Sequence, residues 1–428
     1  MIEKLISKTF LGTLSSWVFA LLCFAYPISA IISSILGVSS TPINIIYRAI
    51  NLTFSLYIIV VSVILYRCTI SKYAVPMLIF LVLYLCRIVW DTSFADVNAE
   101  TTPIEIYSFY IGSIIIPIIA ILLTFKYVDT RKTVLRVFYT LILGNLLLFY
   151  FFMSQNGWTI SPSMLLSRAE VKGADDESLI VNPISFGLYG GYLVLLCLSL
   201  LLLCQKKFSA TVLNFAGIFL FLGLFNLIIA SSRGPFLFSF FGILVILRIH
   251  FVYVKKTYMY YGRVIIILIL VSTSIGVAYR QMIANDIEIG IFERLVNMKE
   301  SLENGEKEER QELYIEAFEM FKSSPIIGKQ FVLESTGAYP HNVILEVLMS
   351  TGMIGLFFYI LSLGVICVKL ISFRGASVYY AVFISLIILS IGISLSTGNL
   401  YQSVDNWNLM AALIALPRKE NELMVNIK

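Results

Sequence analysis

Long apolar runs, broken by polar connections, recur along the whole chain. About 20 apolar residues in a helix cross the hydrocarbon layer of a bilayer. About twelve runs approach that length: Phe10 to Leu36, Ile43 to Tyr66, Val75 to Trp90, Tyr107 to Phe125, Val134 to Phe152, Ile184 to Cys204, Thr211 to Ala230, Pro235 to Tyr253, Val264 to Tyr279, Val343 to Leu370, Val378 to Leu395 and Tyr401 to Leu416. The third, ninth and twelfth are short. The pattern predicts an all-α, polytopic integral membrane protein, and no internal repeat of fixed period interrupts it. The first run is long enough to span and lacks an evident cleavage site, so it is not expected to be a cleavable signal peptide.

Two polar connections are long enough to carry structure of their own. One runs from about Met153 to Pro183 and contains Trp158, Arg168, Glu170 and Lys172. The larger runs from about Arg280 to Pro340. Its stretch Lys299 to Glu309 is polar and acidic, but from Arg310 onward Leu313, Tyr314, Ala317, Phe318 and Phe321 recur at helical spacing until Ser323-Ser324-Pro325 stops them. Such a helix would lie on the membrane face or roof a cavity.

Composition sharpens the class. With 59% hydrophobic and 13% charged residues and a mean hydropathy of +0.89 over 428 residues, the chain is too apolar for a soluble globule. Its net charge of +5 is a topology signal and carries no hint of nucleic acid. Basic residues such as Lys72, Lys126, Arg131, Lys206, Lys207 and Lys369 fall on one set of connections and span ends, and acids such as Asp91, Glu100, Glu105 and Asp175 on the other. The positive-inside rule then puts both termini in the cytoplasm and both long connections outside. The six cysteines sit in spans or at their cytoplasmic ends, so disulfides and cysteine-ligated metals are not expected.

This topology brings the chemically capable residues to one face. Arg233, in Ser231-Ser232-Arg233-Gly234-Pro235, begins the eighth run. His341, in Tyr339-Pro340-His341-Asn342, begins the tenth, and Arg310 opens the amphipathic helix before it. Two guanidiniums and an imidazole converging on one cavity suit a diphosphate, because the guanidinium fork makes bidentate, charge-assisted bonds to phosphate oxygens. Each residue also has a plainer reading. Arg233 could snorkel to headgroups, Arg310 could be solvated on an exposed helix, and His341 could merely precede a helix capped by Asn342. Glu346, a little over one turn below His341, would need a partner in the membrane, which makes it a candidate to orient His341 or to pair with Arg233. Arg48 and Arg87 read as structural ion-pair members, Arg87 with Asp91. Asp286-Ile287-Glu288 could be an acidic metal motif, although such triplets are common by chance.

The stretch Ser231 to Gly352 resembles the core of the O-antigen ligase and Wzy-type polysaccharide polymerase family. Arg233 with Leu237 matches an R-x3-L motif and His341 with Gly352 an H-x10-G motif, and the run Arg310 to Gly328 followed by Thr351-Gly352-Met353-Ile354-Gly355 is similar to the family's shared domain. The resemblance implies a GT-C-like fold and a glycosyltransferase of the bacterial inner membrane. Such an enzyme moves a glycan from undecaprenyl diphosphate to a hydroxyl on the periplasmic face, with no cofactor and no divalent metal. Its partners would be the undecaprenyl-diphosphate-linked oligosaccharide, membrane lipid and other polysaccharide-assembly proteins. By the same resemblance His341 acts as general base on the acceptor hydroxyl or positions the leaving group, while Arg233 and Arg310 hold the diphosphate. Arg294 competes with Arg310 for the loop role, and Arg168, Asn342 and Glu346 complete the expected substrate contacts. The implied organisation is residues 1–230 as N-terminal helices, 231–416 as the core with its loop 280–340, and 417–428 as a cytoplasmic tail.

The motifs favour a ligase, whose acceptor is a lipid A core sugar. The richness in Phe, Tyr and Ile resembles divergent polymerases, whose acceptor is another lipid-linked repeat, although the R-x15-G pattern of some polymerases is missing. The expectation leans to the polymerase. A lipid-linked oligosaccharide transporter is the alternative from another class; it predicts buried charges at mid-membrane and paired broken helices. The topology is directly testable. In a cysteine-free background, Ser163→Cys and Gly305→Cys should react with an impermeant maleimide in intact spheroplasts and Lys206→Cys should not; labelling at 206 alone would invert the orientation.

Overall fold

The computed structural model describes residues 6–36, 40–95, 97–158, 169, 171–172, 179–253, 309–371 and 378–416. The helices are α1 (Lys8–Phe24), α2 (Tyr26–Ile35), α3 (Ser40–Ile64), α4 (Val75–Ser93), α5 (Pro103–Phe109), α6 (Ile116–Thr124), α7 (Thr130–Gln155), α8 (Pro183–Leu202), α9 (Ala210–Ile229), α10 (Arg233–Tyr253), α11 (Glu309–Ser323), α12 (Val343–Ile371), α13 (Val378–Ser396) and α14 (Val404–Ala415). A π-helical turn, Tyr110–Ile115, joins α5 to α6. The small antiparallel pair Val171–Lys172 and Leu179–Val181 precedes α8. Among the described residues nine helices are long and apolar enough to cross a membrane, or ten if α1 and α2 form one bent span. The all-α polytopic class is therefore borne out.

Two expected spans differ in form. The first is broken by 65° between Phe24 and Tyr26, where Pro27 can start a helix but cannot continue one. The last is a correction. Tyr401 to Leu416 is no full crossing, because residues 398–403 are consumed by a polar turn. There Gln402 N donates to Asn399 Oδ1 (2.7 Å) and Leu400 N to Glu346 Oε2 (3.0 Å). This leaves α14 with 12 residues, about 18 Å at the helical rise. The expected ninth span, Val264 to Tyr279, lies outside the described residues.

α8 and α13 are apolar all round and form the centre, with 78% of each span buried. α13 packs on α8, α10 and α14, and α12 packs on α4, so the core is continuous across residue 230. Lipid removes most of the hydrophobic drive between helices, so close approach and buried hydrogen bonds must hold them together. α8 and α9 meet through facing glycines: a Cβ at Gly190 would lie 2.9 Å from Gly223 O. Beside them Asn226 Nδ2 donates to Asn145 Oδ1 (2.9 Å), and Asn145 Nδ2 to Tyr189 O (3.0 Å).

The amphipathic helix forms as expected, as α11. It rests on α12 through Ala317 and Met320, which pack with Leu333 and Met349, while Phe318 stays exposed. The segment that follows locks into a break in α12. Gly352 there has φ 61° and ψ −157°, a conformation open essentially to glycine alone. The break frees Met353 N and Ile354 N to bond Pro325 O (2.9 Å) and Ile326 O (3.2 Å). Arg87 saturates the surrounding carbonyls: it donates to Ser350 O, Lys329 O, Ile327 O and Gly328 O at 2.8 to 2.9 Å. Its pairing with Asp91 (3.4 Å) matches the expected ion pair, and Asp91 also accepts from Phe331 N (2.8 Å). The glycine of the H-x10-G motif thus seats the loop that delivers His341. Gly352→Ala would force a Cβ to within 2.4 Å of Ile326 O and should cost at least about 1 to 3 kcal/mol. Gly364→Ala meets nothing within 4 Å. Thermal unfolding in detergent should separate them, with a lower Tm for Gly352→Ala only; equal Tm values would show that the break is not required.

Candidate active site

Three side chains from two segments distant from α13 in sequence meet at its C-terminal end. A helix ends with carbonyls that its own N–H groups cannot satisfy. Here Asn342 Nδ2 donates to Leu395 O (3.1 Å), Arg310 Nη1 donates to Ser396 O (2.8 Å), and the His341 ring hydrogen-bonds the backbone of Thr397. Positive charge at this end also complements the helix dipole. Asn342 caps α12 as expected, its Oδ1 accepting from Ile344 N (3.0 Å) and Leu345 N (3.1 Å).

Arg233 starts α10 beside the same terminus. A Cβ on its neighbour Gly234 would lie 3.1 Å from Ser396 Oγ, the residue whose carbonyl holds Arg310. The chain turns into α10 through Ser231 at φ 47°, and into α12 through His341 itself at φ 56°. A non-glycine residue in the left-handed region is strained by about 1 to 3 kcal/mol, and such positions cluster at functional sites. Leu237 of the R-x3-L motif faces outward, half exposed on the apolar surface of α10.

His341 stacks edge-on against Tyr339 (centroids 4.5 Å apart). Burial pushes the His341 pKa below its ordinary value, and the Arg310 charge pushes the same way. The Thr397 bond and Glu100 oppose them. The ring therefore favours its neutral, proton-accepting form. Burial raises the Tyr339 pKa, which keeps its hydroxyl protonated as a donor. Glu100 arrives because Glu100 N donates to Gly337 O (3.0 Å), tying the α4–α5 connection to the segment before His341.

His341 and Tyr339 line a cavity of about 390 Å³ between the end of α13, the turn Gly398–Val404, the starts of α8 and α14, and helices α1 to α3. Its lining mixes aromatic rings with amide and hydroxyl groups, and includes Arg48 and Asp405, whose carboxylate is held by Tyr192 and Ser390. Arg310 and Arg233 border the α13 terminus and are not part of this lining.

Several expectations need correction. Glu346 neither orients His341 nor pairs with Arg233. It is fully buried, with Oε1 accepting from Tyr84 OH (2.6 Å) and Oε2 from Leu400 N (3.0 Å), so it braces the cavity turn. Asn342 spends its amide on the α12 cap and the α13 terminus, which gives it a positioning role. Arg48 forms no carboxylate pair among the described residues; it donates to Ser108 Oγ (3.1 Å) and lies over the Phe109 ring. Arg168, Arg294, Asp286 and Glu288 lie outside the described residues. Thr397, Ser396 and Glu100 were missed. Nothing in sequence marks a backbone carbonyl as an anchor, although the polar cluster Ser394 to Asn399 after an apolar run was a usable signal.

The class so defined is a multi-pass membrane protein with a strained histidine and two arginines gathered at one end of its bundle. Residues 218–360 match the family model Wzy_C, described as O-antigen ligase. That stretch contains Arg233, Arg310, His341 and Gly352, and the match supports the O-antigen ligase/Wzy family, whose members are glycosyl-transfer enzymes of the O-antigen pathway. No curated protein and no solved structure matches the chain.

The electrostatics can be read by NMR. The chain has only two histidines, so labelled imidazole resonances are assignable with His341→Gln. His341 should titrate below the ordinary value of about 6.5. Arg310→Gln should raise that midpoint, Glu100→Gln should lower it, and Glu346→Gln should leave it in place. A midpoint indifferent to both Arg310 and Glu100 would contradict the geometry.

Proposed function

We propose that the chain is a polysaccharide polymerase of the O-antigen or capsule type. It transfers a glycan from undecaprenyl diphosphate to a hydroxyl of a lipid-linked repeat unit, on the periplasmic face of the bacterial inner membrane. The observation that carries the reading is His341: a strained, neutral-leaning imidazole facing a polar cavity, with Arg310 anchored beside it on the α13 terminus.

In this reading the Thr397 contact fixes one ring nitrogen and leaves the other for the acceptor. His341 takes the acceptor hydroxyl proton as that oxygen forms its bond to the anomeric carbon. The bond from that carbon to the diphosphate oxygen breaks, and its electron pair leaves with the diphosphate. Arg233 and Arg310 neutralise the charge that develops there, Arg310 from a position already set by Ser396 O. Undecaprenyl diphosphate departs, and the imidazolium returns its proton to solvent. The core segment 231–416 would carry the chemistry, and the helices before it the other wall of the cavity.

The ligase reading shares every step except the acceptor, and the matched family does not separate the two. A purified-protein assay with a synthetic undecaprenyl diphosphate glycan separates the two by product: lengthened lipid-linked glycan marks the polymerase, and transfer only to a lipid A core marks the ligase. In that assay His341→Ala should lower turnover by about 10²- to 10⁴-fold with little change in donor binding. Arg233→Lys should keep the fold and lose most activity, since the charge remains but the bidentate fork is gone. If His341→Ala weakens donor binding instead, and the acid limb of the pH profile stays put, His341 is a phosphate ligand and the base role fails.

A further inference from the structure

A third arginine shares the cavity with His341 and has no part in the chemistry above. Arg48 belongs to α3, on a different wall. Its guanidinium is steadied by Ser108 Oγ (3.1 Å) and by the face of Phe109 (3.3 Å to the centroid). Among the described residues it forms no ion pair. The Glu105 carboxylate acts on it through space without direct contact, and a cation so weakly paired in a membrane span is expensive; its usual explanation is a ligand or a pathway. Ser108 occupies one nitrogen and Phe109 one face, which leaves the rest of the fork for an oxyanion.

The cavity also holds polar atoms that lack partners. Both amide atoms of Asn406 and the hydroxyl of Ser113 are shut away from solvent, bond nothing, and belong to residues lining this cavity; Asn406 is 1% exposed and Ser113 is 2% exposed. Buried groups of this kind are nearly always satisfied, and leaving them bare is costly. Ser113 sits in the π-helical turn, a distortion that often marks a functional site. A polyhydroxyl ligand would satisfy these atoms once their side chains turn toward the cavity that their residues line. The lipid side is also close: α3 is the least covered of the described spans, and Ile45, Ile46 and Ile50 around Arg48 are exposed. A chain attached to a group at Arg48 could leave along that apolar surface.

We infer that this cavity is the acceptor site and that Arg48 binds the diphosphate of a lipid-linked acceptor glycan, whose sugar extends past Ser113 and Asn406 toward His341. The inference rests on the polymerase reading and names its acceptor: a glycan that carries its own lipid diphosphate. The protein would then hold two lipid diphosphates at once, the donor's by Arg233 and Arg310 and the acceptor's by Arg48.

The test has a binding arm and a kinetic arm on the full chain. Native mass spectrometry with added undecaprenyl diphosphate should show up to two bound lipids for the wild type, one for Arg48→Gln and one for Arg310→Gln. A wild type that never holds more than one, or an Arg48→Gln protein that still holds two, overturns the inference. If Arg48→Gln loses one lipid and Arg310→Gln loses none, the Arg48 site stands and the donor assignment above fails. In the kinetic arm the same acceptor glycan is offered on farnesyl diphosphate and on a neutral alkyl chain. Arg48→Gln should raise KM for the diphosphate acceptor about ten- to a hundredfold and leave KM for the neutral acceptor in place. An equal rise for both acceptors would make Arg48 a brace for Phe109 and Ser108 only, and Arg48→Lys, which restores charge without the fork, should recover only part of the discrimination.

Discussion

The unsatisfied end of α13 is the constraint from which the site follows. Its terminal carbonyls cannot be bonded within the helix, and side chains supply the donors. Asn342, Arg310 and His341 do so on three successive residues, Leu395, Ser396 and Thr397. The donors come from two segments far from α13 in sequence, so one structural need gathers the groups that the proposed reaction would use. The opposite end of the bundle solves the same problem without chemistry: Lys369 Nζ caps α14 by donating to Leu413 O (2.9 Å) and Ile414 O (2.6 Å).

A second device holds the delivering segment in register. The break at Gly352 exposes backbone groups inside the bundle, and the chain 325–329 together with Arg87 satisfies them. That clamp fixes the path of the loop toward Tyr339 and His341. Glu346, buried one turn below, joins α12 to the cavity turn through Leu400 N, so the positions of His341 and of the cavity floor are coupled. The strain at His341 is tolerated because these surroundings over-determine it.

Much of this was legible in the sequence, for identifiable reasons. Apolar run length predicts spans well because backbone hydrogen bonding in lipid leaves few alternatives to helices. The period after Arg310 gave α11, Asn342 was legible as a cap, and the Arg87–Asp91 pair followed from spacing. Sequence spacing misleads where a side chain finds its partner in another part of the chain. Glu346 lies near His341 in sequence, yet its partners are Tyr84 and Leu400. An arginine at a span end suggests an ion pair, whereas an aromatic face and a hydroxyl hold Arg48. The turn that shortens the last span was hidden in a run with enough apolar residues to suggest a crossing.

In the proposed reaction the α13 terminus presents Arg310 and His341 to the donor's diphosphate. A cryo-EM structure of the protein with bound undecaprenyl diphosphate would test it most directly. The diphosphate should lie within hydrogen-bonding distance of Arg310 and Arg233, with His341 still bonded to Thr397 and facing the cavity. A diphosphate found away from this terminus, with Arg310 and His341 unchanged beside it, would contradict the account.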